Sequence, residues 1–211
     1  NKGFIMSIIT LNDRAVRSVT TFGSVSGGSM VLIKKLTASS DGTLSFVDGA
    51  SSVVFDSTYK EYLFTFNNMH PETDSAAFTF NGSDDDSSHS YDVTKTTTYF
   101  YAYQNEAGNS TNLTYDSSQD LAQGTGFQNL AASVGSDNDQ GLSGYLRIFN
   151  PSSTTFVKHF IGETHISSHE DLALHFFIGG YFNTTADITA MQFKMSSGNI
   201  DAGDICLYGI L

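Results

Sequence analysis

Hydrophobic side chains in this chain recur at every second position, and a sustained helical spacing is hard to find. Alternation of that kind places one side chain in a core and the next in solvent, which is the geometry of a half-buried β-strand. In "EYLFTF" (61–66), Tyr62, Phe64 and Phe66 share one face; in "AAFTF" (76–80), Phe78 and Phe80 do the same. "MQFKM" (191–195) sets Met191, Phe193 and Met195 against Gln192 and Lys194, and "YLRIF" (145–149) sets Leu146 and Ile148 against Tyr145, Arg147 and Phe149. Further runs lie at 30–36, 43–47, 98–104, 154–161, 173–182 and 204–210, for about ten strands in all. Turn-forming clusters separate them: "SSDG" (39–42), "NGSDDDSS" (81–88), "GSDND" (135–139) and "NPSS" (150–153). The segment "DLAQGTGFQNLAAS" (120–133) is the one candidate for a helical interruption, and its glycines make it a long loop instead. The expected fold is all-β: a jelly-roll-like antiparallel β-sandwich.

Composition agrees. The chain has 17 Phe and 10 Tyr but no Trp, and only 15% of its residues are charged, so Ser, Thr, Asn and Gly carry its polarity. Aromatic and β-branched residues suit a pleated surface. Ten basic residues against 22 acidic ones leave a formal charge of −12, which repels phosphate backbones and anionic membranes. No nucleic-acid or membrane partner is expected, and no stretch reaches the roughly 18 apolar residues of a spanning helix. Cys206 is the lone cysteine, which excludes an intrachain disulfide and a cysteine zinc site.

Residues 1–28 differ from the rest. They hold Lys2, Arg14 and Arg17, three of the ten basic residues, and run into a Gly/Ser-rich joint at 26–29. They are expected to form an arm that anchors a sandwich domain spanning 29–211; the alternative is a first strand and loop of that domain. The opening "NKGFIMSII" is too short for a signal-peptide core, and Met6 is the expected natural start.

Motifs for chemistry are sparse, and no catalytic residue, cofactor or metal is expected. "DAGD" (201–204) offers two aspartates without the further oxygen ligands of a calcium loop, so it is expected to be the hairpin turn before a last strand. Asp84, Asp85 and Asp86 precede His89, but consecutive side chains on an extended chain diverge, which favours a solvated acidic loop. His159, His165, His169 and His175 cluster late in the chain. His165 and His169 are four apart but sit at a strand end and loop without the glutamate of H-E-x-x-H, so they are expected at the surface or an interface. Four Asn-x-Ser/Thr sequons, at Asn81, Asn109, Asn112 and Asn183, are chance products of the composition. In "TTYFYAYQNEAGN" (97–109), Tyr99, Tyr101 and Tyr103 face one way and Phe100 the other; one side is core and the other an interface or a platform for glycan, with Tyr99, Tyr101 and Tyr103 as the candidate glycan or interface aromatics.

Taken together, "LNDRAVRSVTTFGSVSGGSMVLI" (11–33), "FDSTYKEYLFTFNNMHPETD" (55–74), "FNPSSTTFVKHF" (149–160) and "GYFNTTADITAMQFKMSSGNIDAGDICLYGI" (180–210) resemble a family of small virion proteins of tailed, often marine, bacteriophages. The resemblance implies a non-enzymatic, β-rich component of the particle exterior: a tail or neck fibre, or a capsid decoration. It implies other virion proteins as partners and a homo-oligomer, expected to be a trimer, with Arg14, Arg17 and Phe22 of the arm as anchoring residues. "NKGFI" departs from the pattern, since the resemblance places a Met at the start. The alternative is a module that binds a receptor or a host surface glycan. A glycan hydrolase, which needs two convergent carboxylates, ranks last.

Overall fold

The computed structural model describes residues 29–211. The arm expected over 1–28, with Arg14, Arg17 and Phe22, lies outside them. Among the described residues twelve strands form: β1 (Met30–Asp41), β2 (Leu44–Val47), β3 (Glu61–Pro71), β4 (Ala76–Ser83), β5 (Lys95–Asn105), β6 (Thr111–Tyr115), β7 (Gln128–Val134), β8 (Gly141–Phe149), β9 (Lys158–Ser167), β10 (Leu172–Phe182), β11 (Ala190–Met195) and β12 (Ile200–Ile210). They build two antiparallel sheets, an eight-stranded one in the order β1-β12-β3-β8-β9-β10-β5-β6 and a four-stranded one in the order β2-β11-β4-β7. The sequence-based fold class, an all-β jelly-roll-like sandwich, is what the chain adopts, in a lopsided form. Hairpins β5–β6, β8–β9 and β9–β10 stay in the wide sheet, while every other connection crosses between layers.

The alternating positions supply the core. Tyr62, Phe64, Phe66, Phe78, Phe80, Met191, Phe193, Leu146 and Ile148 are all buried. Rings of Phe46, Phe64, Phe66 and Phe78 surround Phe193 at centroid distances from 5.1 to 6.2 Å. The narrow sheet is also covered on its far side. Every residue of β4 is buried, including Thr79, Asn81 and Ser83. The Asn81 amide donates to the carbonyl of Thr125, and Lys194 lies over the Phe127 ring at 4.1 Å, so the 119–127 segment closes that side.

Two lysines do core work. Lys95 and Lys158 are wholly buried on either side of Phe182 in the β5–β10–β9 register. The Lys95 ammonium donates to the carbonyls of Val93 (3.0 Å) and Gly126 (2.7 Å), and Lys158 donates to those of Thr184 and Ala186. Each satisfies loop carbonyls that would otherwise be buried without a partner. Burial pulls the Lys95 ammonium down to about 8.

Three expectations are corrected, and one strand is added. The strand expected over 154–161 starts at Lys158, because Ser153 Oγ accepts the N–H groups of Thr155 and Phe156 and extends the turn. The segment expected to be a loop over 120–133 ends in β7. The added strand is "TNLTY", outside every run expected from the sequence; it forms β6 although nearly all of it is exposed. "DAGD" is not the turn. The turn is at 196–199, and the chain there passes from β11 in the narrow sheet to β12 in the wide one, so no hairpin forms. Asp201–Asp204 lie within β12 at an irregularity facing another in β3. Gly203 has φ +119°, and a Cβ there would come within 2.7 Å of Asn68 O and Met69 Cα, so the close approach of the two strands requires glycine.

Candidate functional site

The wide sheet has two faces, and only one is covered by the other layer. Strand alternation and register define what the open face displays. From β10 come Ala173, His175, Phe177, Gly179 and Tyr181; from β5, Thr96, Thr98, Phe100, Ala102 and Gln104; from β6, Thr111, Leu113 and Tyr115. None of these is Asp, Glu, Lys or Arg, on a chain whose charge is −12. Phe100 is 38% exposed, Leu113 67% and Tyr115 53%. Phe100 and Phe177 stack at 4.9 Å and 9°, and His175 stacks on Phe177 at 4.3 Å. Tyr115 lies opposite Phe100 in the β5–β6 register and donates its hydroxyl hydrogen to Asp120, at the rim. A neutral aromatic stripe therefore runs from β10 to the sheet edge, with carboxylates only at its margins.

The other half of the same face is built differently. Lys35 bridges Asp204 at 2.7 Å across β1–β12, and Arg147 bridges Glu61 at 2.7 Å across β8–β3. The Lys35 ammonium is a donor to Asp204, which holds that carboxyl below the usual carboxylate range.

Histidines border the stripe. His165 of β9 is the direct cross-strand neighbour of His175, with ring centroids 6.3 Å apart. Partial burial, and then the neighbouring His175, lower the pKa of His165. Glu163 approaches His175 Nε2 at 3.7 Å. His169 sits in the β9–β10 turn, 3.8 Å from Glu170, so His165 and His169 do not share a site. The pair that does meet is set by the hairpin: folding about the 168–171 turn brings 165 against 175 and 159 against 181.

The tyrosines proposed as a glycan platform point inward. Tyr99 is fully buried, with no hydrogen-bond partner for its hydroxyl among the described residues, and is closed to an external ligand. Tyr101 and Tyr103 are half-buried and line a small recess of about 370 Å³ with Ser110, Ser133 and Leu172. Of the two sides of that strand, the open one carries Phe100.

A second concavity of about 570 Å³ lies where β3 and β12 are irregular. Asn68, His70, Gln140, Ser143, His165 and Asp201 contribute to its lining. Asn68 is held in the left-handed region (φ 50°), and its N–H donates to Ser143 Oγ at 3.0 Å. Asp201 lies 3.6 Å from His70 Nδ1. The recess is polar, with hydroxyl, amide, imidazole and carboxylate groups.

The acidic loop closes on itself. Asp85 accepts the N–H and Oγ–H groups of both Ser87 and Ser88, and these donors hold its carboxyl well below the ordinary range. Asp84 accepts from Thr184 Oγ1 at 2.8 Å. Among the described residues, no three His, Cys, Asp or Glu side chains converge as a metal site. Cys206 is buried between Lys35 of β1 and Thr65 of β3 in the strand register. Comparison of the chain with protein-family models, curated proteins and solved structures gives no match.

Proposed function

We propose that this chain is a non-enzymatic structural subunit of the exterior of a tailed-phage particle, a tail or neck fibre or a capsid decoration, that assembles with copies of itself and attaches to other virion proteins. The observation that carries self-assembly is the uncharged aromatic stripe on β10, β5 and β6. Two like-charged copies meet at least electrostatic cost where neither presents charge, and depletion of charge with enrichment of aromatics marks the centre of protein interfaces. The particle assignment rests on the resemblance of the four segments and has the arm 1–28 as anchor through Arg14, Arg17 and Phe22. Labelled subunit imaged on intact particles tests it, and removal of residues 1–28 should abolish attachment while the sandwich still folds. Attachment that survives the truncation refutes the anchor; absence of the subunit from particles refutes the location.

The second reading is a receptor- or carbohydrate-binding module, favoured by the polar recess at Asn68, His70 and Asp201. Glycan-array binding that is lost in Asn68→Ala and Asp201→Ala, but kept in Tyr101→Phe, supports it. No binding to any glycan counts against it.

A further inference from the structure

A sheet edge is a row of unpaired N–H and C=O groups, and proteins that stay monomeric blunt such edges with lysine, proline, bulges or very short strands. Among the described residues, three of the four sheet edges are blunted. β1 carries Lys34, Lys35 and Asp41 and has a register shift between Leu32 and Lys34. β2 has only four residues. β7 is tied to the opposite layer, since Thr164 Oγ1 donates to Leu130 O and Val134 bridges Ser168. β6 has none of these devices: "TNLTY" holds no charge and no proline, and its pairing with β5 is regular.

The direction of its free groups follows from the ladder. Asn105 N–H donates to Ser110 O at 3.1 Å, and Asp116 N–H donates to Tyr99 O at 3.0 Å. These two bonds bracket β6. The alternation of an antiparallel pair then turns Asn112 and Thr114 toward β5, and Thr111, Leu113 and Tyr115 away from it. Among the described residues the Leu113 N–H meets only the side-chain oxygen of its neighbour Asn112, at 2.9 Å, an exposed local bond that an incoming strand can replace.

We propose that two copies of this chain join edge to edge through β6, antiparallel and about a two-fold axis at Leu113, so that one sheet runs through both copies. This deepens the self-assembly reading and rests on it. A second copy is the occupant that charge favours: a chain of net −12 docks on itself at least electrostatic cost where neither surface presents charge, and β6 with the adjoining stripe holds no Asp, Glu, Lys or Arg. The edge is also self-complementary. Turned about Leu113, it sets Leu113 against Leu113 and Thr111 against Tyr115, and it extends the Phe177–Phe100–Tyr115 row toward the partner. An isologous contact of this kind gives a closed dimer, not the cyclic trimer expected from the sequence.

The test is the mass of the full chain by sedimentation, for the wild type, Leu113→Pro and Leu113→Lys. Leu113 is 67% exposed and its N–H faces away from β5, so both variants should melt like the wild type. Expected is a wild-type dimer that tightens as salt screens the acidic bodies. Each variant should weaken it at least about tenfold, since proline removes two symmetry-related main-chain bonds and lysine sets like charges face to face. A dimer unchanged by both substitutions overturns the β6 contact. So does a trimer, which would leave self-assembly standing. A monomer at every concentration overturns both. Should either variant fail to fold, amide exchange of the wild type decides: Thr111, Leu113 and Tyr115 must gain protection with concentration, and constant exchange there overturns the contact.

Discussion

Two groups of aromatic rings lie on opposite sides of the wide sheet, the inner one packed mostly edge to face and the outer one stacked. Inside, Phe193 is enclosed by Phe46, Phe64, Phe66 and Phe78, all essentially without solvent contact. Outside, Phe100 and Phe177 stack closely at 4.9 Å, yet Phe100 keeps 38% of its surface in water. Ring chemistry and spacing are alike; what differs is whether a second layer arrives. The inner cluster is the meeting of two sheets and carries stability. The outer one has no covering layer among the described residues, so the fold gains little from it, and its composition has to be explained by what happens outside the fold.

The comparison breaks most visibly at Phe193. Phe193→Ala should cost about 3–5 kcal/mol in chemical denaturation, because four rings lose their common neighbour. A loss below about 1 kcal/mol would mean the two sheets are not packed as described.

The inside also has to accommodate charge, and that offers a second measurement. Lys95 has its pKa at about 8 in the fold, against an ordinary 10.4 in the unfolded chain. Between those values the unfolded chain binds more protons, so stability rises with pH, and this contribution fades as pH falls through 8. Measured against Lys95→Met, the wild type should gain on the order of 1–2 kcal/mol from pH 7 to 9.5. A flat difference would place the ammonium in solvent.

On the outside, Phe100→Ser should change stability by less than about 1 kcal/mol while reducing self-association in sedimentation. A large stability loss would make the stripe part of the core after all. The smallest effect is expected at its border. The pKa of His165 is lowered by partial burial and by His175, so the fold resists its protonation, and stability present above the unfolded value near 6.5 is lost as pH falls through the folded one. Solvent screening keeps this within about 0.5 kcal/mol. Thermal melts of wild type and His165→Gln between pH 7 and 5 should diverge by that amount, with the wild type losing more.

Legibility in the sequence tracked how one-sided each strand is. Where one face is wholly buried, as at 61–66 and 191–195, alternation reads directly, and the inward sets named from it are the buried ones. β6 is exposed on both sides and gives no such pattern. β7 begins with Gln128, which is buried through bonds from its amide to the carbonyls of Gln119 and Asn129, so a polar residue holds a core position. Lys95 and Lys158 hide in the same way: each is in phase with inward neighbours, Thr97 and Tyr99 or Phe160 and Thr164, and phase was the signal that lysine's usual exposure obscured. The open stripe escaped for a related reason. Both sides of "TTYFYAY" are aromatic, and only the arrival of the second layer says which is core.

The placement of β12 has a consequence for how the molecule comes into being. It sits between β1 and β3, and its Asp204 finds Lys35 across 169 positions of chain. During synthesis β1 must wait, unpaired on that side, until residues 200–210 have left the ribosome. A nascent chain halted before them holds an open seam rather than a finished barrier to water, and folding dominated by such distant pairings belongs to the slow, millisecond-to-second class. The order of the strands therefore leaves the wide sheet open between β1 and β3 until β12 slots in.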